Sequence, residues 1–444
     1  MINIDDFFFN KLAEKETVSL SPNNARDCIG QLGSFARWCL KEEVYAKENR
    51  AWKPPSIPGG PGAAWVLMVL ENYNRNSIFR PAFIIPLYWS KKNEHDPHLP
   101  KSLTYLADKI IHQFVEKHNL EANGWKLCLD PILGDIDFSS NGVFTWDSGW
   151  VPLYAGLELA LRGFSPDPTV LSTGAWDFKQ GKGLRTVNHI LAKADVARIF
   201  GAKHFFYPED STDSGALQDL YSSADSPLII HKLPRKTDPQ AVVPELRSWL
   251  MKEPASNEPD VLQHYYLNTR PDKDEDTYRQ DFYLKRIKPI LVRQIREEIP
   301  ICKEYSGRTL ISWVSWGSEL IRVGIELFKP EKVVLLCEGP IFRKIANRIK
   351  EAEPQLRIEV EPYPSDNDMS LSKLRCFIKD NIFKKYGLSS KYLVDITLGT
   401  ATMSVALCYE APENATFLYW NKKMDNNIPQ PFTTRPEMWN REVK

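Results

Sequence analysis

"HILAKADVARIFGAKHFFYPED", residues 189–210, carries two periods in succession. Ile190, Lys193, Ala197 and Phe200 follow offsets of 0, 3, 7 and 10, which is one stripe of a helix. After Gly201 the pattern changes to the apolar run "AKHFFYP", which predicts a short buried strand over 202–208. A helix, a glycine and a buried strand are the repeating unit of an α/β fold. One residue is out of keeping with the stripe. A lysine among core positions must either reach back to water or stay buried with a disturbed pKa.

The same alternation extends in both directions. "AAWVLMVLEN" from 63 predicts a buried strand, and 80–90 a second, which Pro81 and Pro86 should confine to an edge or a loop. Leu103, Leu106, Ile110 and Phe114 mark one face of a helix over 101–118. A helix is expected over 148–162 with Pro152 in its first turn, and "TVLSTGAWDF" from 169 reads as a strand running into a turn. The lysine helix is expected over 186–200, a strand over 226–233 and a helix over 242–250. "WKPPSIPGGPG" at 52–62 is loop, and "MKEPASNEPD" at 251–260 is a linker by composition.

Beyond the linker the alternation is cleaner. Strands are expected at 308–318, 332–339, 356–364 and 391–400, with "ATFLYWN" at 415–421 as the last, and helices fall between them. Units of this length imply a mostly parallel, doubly wound sheet. The fold class is therefore α/β, an N-terminal α+β domain followed by a C-terminal Rossmann-like domain.

Composition narrows the function. The chain has 444 residues, which favours two domains, and 43% hydrophobic residues, enough for packed cores. Lys plus Arg equals Asp plus Glu at 57 each, which argues against broad binding of long nucleic acid. The seven cysteines are scattered with no CxxC pair, so neither a disulfide scaffold nor a zinc site is expected. No signal peptide or bilayer-length apolar run is evident, and a cytoplasmic protein is expected.

In a doubly wound sheet, ligands sit at the carboxyl ends of the strands. Two such ends stand out. One is Ser315, Trp316, Gly317 and Ser318; the other is "DITLGTATMS", Asp395 to Ser404. Gly399 permits a tight turn, and Thr400 to Met403 open a helix whose free N–H groups favour an anion. The second segment resembles the Asp-Ile-Thr-Gly-Gly-Thr-Lys-x-Met-Ser motif of CARF domains, the Rossmann-like sensors of type III CRISPR systems. The resemblance covers about residues 308–421. It implies a homodimer that binds a cyclic oligoadenylate through Ser315, Trp316, Gly317, Ser318, Thr397, Gly399, Thr400, Ala401, Thr402 and Met403. The exposed-type Trp316 is a candidate for stacking on adenine. Ala401 stands where the family motif has lysine.

Ser148, in "WDSGWVP", has by itself the plain reading of a helix cap. The stretch 135–252 as a whole resembles the proteolytic domain of Lon. That family has a serine at the start of a helix, a strand ending Met-Thr-Gly-Glu, a helix carrying a catalytic lysine, and then Ala-Gly-Ile-Lys-x-Val-x-x-Pro. Here these become Ser148, "LSTGA" with Thr173, Lys193 and "FGAKHFFYP". The resemblance implies a Ser148–Lys193 dyad oriented by Thr173, with N–H groups at the start of the Ser148 helix receiving the oxyanion. Trp146 and Trp150 replace small family residues, which implies either a cleft reshaped for a particular substrate or an inactive enzyme; Ala175 replaces the glutamate. With no GxxxxGK[ST] phosphate loop, an ATP-independent protease acting on a specific partner protein encoded nearby is expected.

The expected layout is an extension over 1–62, a Lon-like domain over 63–252, a linker and coupling helix over 253–307, and a CARF domain over 308–444. No cofactor, metal, membrane or direct long nucleic-acid partner is expected, and the dimer is expected to assemble further on activation. Two alternatives stay open. One is a sensor carrying an inert Lon-like scaffold. The other is a ligand-activated nuclease using Asp135, Asp137, Glu209 and Asp210. His95, His98, His112 and His118 read as polar loop and helix residues rather than a metal cluster.

Overall fold

A computed structural model describes residues 2–3, 38–42, 56–70, 79–116, 120–134, 136–139, 145–221, 226–269, 277–363, 370–387, 391–425 and 428–440. Asp135, His118, most of the first 55 residues and the charged stretch 270–276 lie outside the described residues. The chain divides into two compact units, Met1–Glu253 and Pro254–Lys444, both mixed α/β with parallel sheets.

In the first unit, β1 (Ala63–Val69), β2 (Ala82–Lys91) and β3 (Trp125–Leu129) form an antiparallel sheet with β2 in the centre. The central place of β2 corrects the expectation drawn from its prolines. Pro86 pairs with Trp65 on one side, and its carbonyl accepts from Asp130 N (3.3 Å) on the other. Its missing N–H therefore faces the point where β3 leaves the sheet, where no ladder bond is forfeited. Between β2 and β3 runs α1 (Lys101–Glu116), whose Leu103, Leu106, Ile110 and Phe114 are all buried. Each such side chain contributes about 1.5–3 kcal/mol of burial.

Next come α2 (Trp150–Leu161), β4 (Val170–Ser172) and a hairpin of β5 (Ala175–Asp177) with β6 (Gly183–Arg185). They are followed by α3 (Ile190–Ile199), β7 (His204–Pro208), α4 (Ser214–Tyr221), β8 (Ile229–Leu233) and α5 (Pro239–Leu250). β8, β7 and β4 make a parallel sheet in that order. α2 is apolar nearly all round, as a helix buried in a core must be. α3 begins at Ile190, four residues later than its periodicity suggests, because Thr186–His189 is loop.

In the second unit, α6 (Pro259–Asn268) precedes a helical stretch over Tyr278–Glu298, which passes through a π turn at Tyr283–Ile287 and closes as α7 (Lys288–Glu298). Then follow β9 (Thr309–Trp313), α8 (Glu319–Phe328), β10 (Lys332–Glu338), α9 (Gly339–Ala352), β11 (Arg357–Tyr363), α10 (Leu371–Phe377), β12 (Tyr392–Asp395), α11 (Ala401–Glu410), β13 (Thr416–Asn421) and β14 (Arg435–Asn440). The sheet runs β11-β10-β9-β12-β13-β14, parallel throughout except for β14. β13 is thus not the last strand; β14 covers its free edge. The strand order reverses between β9 and β12, the crevice at which doubly wound sheets receive ligands.

No helix among the described residues is long and apolar enough to cross a membrane. Cys39, Cys128, Cys337, Cys376 and Cys408 are free thiols.

Candidate functional site

Ser148 lies in a single 3-10 turn, Asp147–Gly149, that runs straight into α2. This turn is strapped to the end of β4. The Ser148 carbonyl accepts from Gly174 N (2.9 Å) and from the Thr173 hydroxyl (3.3 Å), and Val151 N donates to the Gly174 carbonyl (3.1 Å). The approach is close enough to require glycine. A Cβ on Gly174 would lie 2.4 Å from Val151 Cγ2 and 3.2 Å from Leu184 Cδ1, both buried. Gly174→Ala is therefore expected to lower stability by about 1–3 kcal/mol, read as a lower urea midpoint, and to displace Ser148.

Thr173 is fully buried, and its N–H extends the ladder to Phe206 O (2.9 Å). Its hydroxyl accepts from Lys193 Nζ at 3.2 Å. Lys193 does not snorkel: it is 4% exposed, with Ile190, Ala194 and Ala197 at 0% around it. Burial without an opposing charge lowers its pKa from 10.5 to about 8. The question raised by the lysine on the stripe is thus answered on the side of burial.

Ser148 and Lys193 both line one cavity of about 250 Å³. Val69, Thr145, Asp147 and Ala175 complete one part of its lining, and the five consecutive residues Arg185 to His189 form another. That strip is anchored from behind: Val187 N donates to the buried Ser211 Oγ (3.3 Å) and Thr212 Oγ1 donates to Asn188 Oδ1 (3.3 Å). The strip gives no periodic signal, and sequence reasoning missed it.

Two expectations about this site need correction. Trp146 and Trp150 do not reshape the cleft, since both are buried and neither lines the cavity. Trp150 stacks on Trp176 at 4.3 Å and donates to Gln113 Oε1 (2.9 Å), while Trp146 packs edge-on against Phe138. Three of the N–H groups at the helix start are engaged in this conformation, whereas those of Asp147 and Ser148 make no hydrogen bond among the described residues. Gly149 N donates to Trp146 O (2.9 Å), Trp150 N to Asp147 O, and Val151 N to Gly174 O.

In the second unit the loops after β9 and β12 lie side by side, since a Cβ on Gly317 would sit 3.3 Å from Leu398 Cδ2. Below them, Ser312 Oγ donates to Asp395 Oδ2 (3.0 Å), joining the two strand ends. Ser315 Oγ accepts from Gly317 N (3.3 Å), and the buried Ser318 Oγ accepts from Gln280 Nε2 (2.8 Å). Trp316 is 72% exposed, with its ring edge-on to Phe342.

Two threonine hydroxyls expected to meet a ligand also accept bonds within the fold, each keeping its O–H as a donor. Thr397 Oγ1 accepts from Trp420 N (2.7 Å), and Thr400 Oγ1 caps α11 by accepting from Met403 N (3.3 Å). Met403 is buried, with Sδ accepting from Thr400 N. Thr402 is half-buried, while Gly399 (φ 103°), Thr400 and Ala401 are exposed at the tip of the turn.

Asp395 is fully buried, and burial outweighs its bonds from Thr397 N and Ser312, lifting its pKa from 3.8 to about 6. A carboxyl raised in the fold favours the folded state at low pH and loses that contribution as pH rises through about 6. Asp395→Asn keeps an acceptor for Thr397 N. It is expected to flatten this loss, worth roughly 3 kcal/mol between about pH 4 and pH 7. Urea midpoints of the two proteins across that range check it.

The remaining candidates do not converge. His95 contacts Asp108 (3.0 Å), His98 contacts Asp137 (3.6 Å) and His112 contacts Glu116 (3.1 Å). Glu209 accepts from Arg235 N, and Asp210 pairs with the Arg235 guanidinium. No metal-holding group of His, Cys, Asp and Glu occurs among the described residues.

No family model and no curated protein matches the chain. Among solved structures it is similar to an O-methyltransferase family protein from Burkholderia thailandensis, with 14% identity over 40% of this chain and 57% of that one, at a TM-score of 0.22. The chain spans little more than half the length of that protein, and a superposition this loose says nothing about fold or activity.

Proposed function

We propose that the chain is a Lon-like serine protease of type III CRISPR antiviral defence, switched on by a cyclic oligoadenylate and acting in the cytoplasm on a specific partner protein. The first unit is the protease, and the second is a CARF sensor that dimerises and binds the activator. The observation that supports this most strongly is Lys193. It is buried, held by Thr173 and free of any charge that would keep it protonated, and it shares a cavity with a serine.

A lysine with a pKa of about 8 is neutral in roughly a tenth of molecules at about pH 7, enough to serve as a base. Neutral Lys193 takes the Ser148 proton as Oγ attacks the peptide carbonyl. The resulting ammonium donates that proton to the leaving amine. Lys193, neutral again, then activates the water that releases the acyl group. Thr173 fixes the direction of the amine throughout.

The engaged N–H groups of Gly149, Trp150 and Val151 support a resting state. The N–H groups of Asp147 and Ser148 make no hydrogen bond among the described residues and are the donors open to an oxyanion; release of a further one from the 147–151 turn is a step for the activator to drive. The Gln280–Ser318 bond gives the helical stretch after the linker a direct hold on the ligand loop. The same engaged donors favour, as a second reading, an inert scaffold under the same sensor.

The test is to incubate the purified chain with cyclic tetra- or hexaadenylate and the proteins encoded beside it, and to look for fragments on a gel. Cleavage that needs the activator and disappears in Ser148→Ala and Lys193→Ala is expected. Cleavage that survives in both variants contradicts the assignment, and activator-dependent loss of RNA or DNA instead would point to a nuclease.

A further inference from the structure

Three non-glycine residues among those described have a left-handed backbone: His189, Asp213 and Lys329. Two have local reasons. Lys329 ends α8, its N–H returning to Ile325 O (3.0 Å), a position where left-handed residues commonly terminate helices. Asp213 is of a type that tolerates this region and precedes α4. His189 is of a tolerated type as well, but it starts a helix rather than ending one.

His189 occupies the N-cap of α3 at φ 57° and ψ 37°. An N-cap is normally extended, with a short side-chain oxygen bonding the first turn. His189 is not extended and makes no side-chain cap bond. Its carbonyl starts the helix by accepting from Lys193 N (3.2 Å), a duty any residue performs. Glycine adopts this conformation without strain, and asparagine with little. Folding therefore accommodates a histidine here without calling for one, since its side chain makes no cap bond.

Its position does. His189 lines the cavity shared by Ser148 and Lys193, at the end of the anchored strip that begins with Arg185. Strained backbone is kept where the surrounding structure holds a side chain for use. We infer that His189 is a substrate-contacting residue of this cavity, its imidazole hydrogen-bonding the peptide chain bound against Ser148, with the left-handed turn holding it there. The inference rests on the protease reading and adds to it a recognition residue on the strip facing the dyad.

The experiment uses the full chain with cyclic tetra- and hexaadenylate present and two probes. A small fluorophosphonate reports the reactivity of Ser148. A tripeptide boronate, acetyl-Leu-Leu-boroLeu, competes for the same serine but also carries a peptide backbone into the cavity. In His189→Gly, the boronate affinity is expected to fall about tenfold more than the fluorophosphonate rate, the loss of one good hydrogen bond. The urea midpoint should stay level or rise, since glycine relieves the strain. His189→Asn, which tolerates the turn and retains a donor and an acceptor, should recover part of the affinity.

Boronate affinity equal in wild type and His189→Gly, including no affinity in either, overturns the inference while leaving a labelled Ser148 standing. A parallel fall of stability and of both probe readouts also overturns it, because that is the signature of a purely structural residue. A wild-type chain whose Ser148 takes no fluorophosphonate overturns the protease reading and this inference with it.

Discussion

Lys193→Met is expected to give a protein that is more stable at neutral pH and has lost peptidase activity. Methionine nearly matches lysine in length and is at ease among Ile190, Ala194 and Ala197. The gain comes from removing a charge that the fold resists. A pKa lowered from 10.5 to about 8 corresponds to roughly 3 kcal/mol charged against the folded state when the lysine is protonated. For a base depressed in the fold, stability is fully restored only above the unfolded pKa and is lost as pH falls through the folded one. The variant's advantage is therefore largest below about pH 8 and vanishes near pH 10.5. Urea denaturation of both proteins at pH 7 and pH 10, read against each other, measures it. The activity loss, about 10³-fold or more, follows from removing the base. A residue that weakens its fold and is kept for its chemistry is the expected pattern at an active site.

Ser148→Ala is expected to lose activity to a similar degree with almost no change in stability. The atom of Ser148 that the fold uses is its carbonyl, which accepts from Gly174 N and from the Thr173 hydroxyl. Alanine keeps both bonds, and Ser148 is only half-buried. A stability change within about 0.5 kcal/mol is therefore expected. Cleavage of partner protein and labelling by a fluorophosphonate should both fall by about 10³-fold or more. Under the proposed function, binding of the activator should be unaffected, because the loops proposed to hold it belong to the other unit. A large drop in the urea midpoint would mean that the hydroxyl itself holds the turn, and that the site had been misread.

These two residues also show what the sequence made legible. Lys193 was visible as an exception on an apolar stripe, and an exception to a strong pattern is where chemistry tends to sit. The helix α1 and the strands β9, β10 and β12 were visible because burial imposes a period on them. The departures have physical causes that leave no such period. Pro86 sits in a central strand because its missing donor falls where β3 has already left. β14 escaped notice because an edge strand that is half exposed and carries Pro436 has no apolar alternation to display. Thr397 and Thr400 look like ligand donors by type; their oxygens accept from Trp420 N and Met403 N, and each keeps its O–H as a donor. His189 was invisible in another way, since only the backbone reveals that this N-cap is left-handed and that its side chain makes no cap bond.

The most direct test of the Ser148–Lys193 pairing is the pH dependence of Ser148 labelling by a fluorophosphonate, measured in the activated full chain. The rate should rise through a midpoint near pH 8 as Lys193 loses its proton, level off above it, and be abolished at every pH in Lys193→Met. A rate flat from about pH 6 to about pH 10, or a Lys193→Met variant labelled as fast as the wild type, would contradict the pairing.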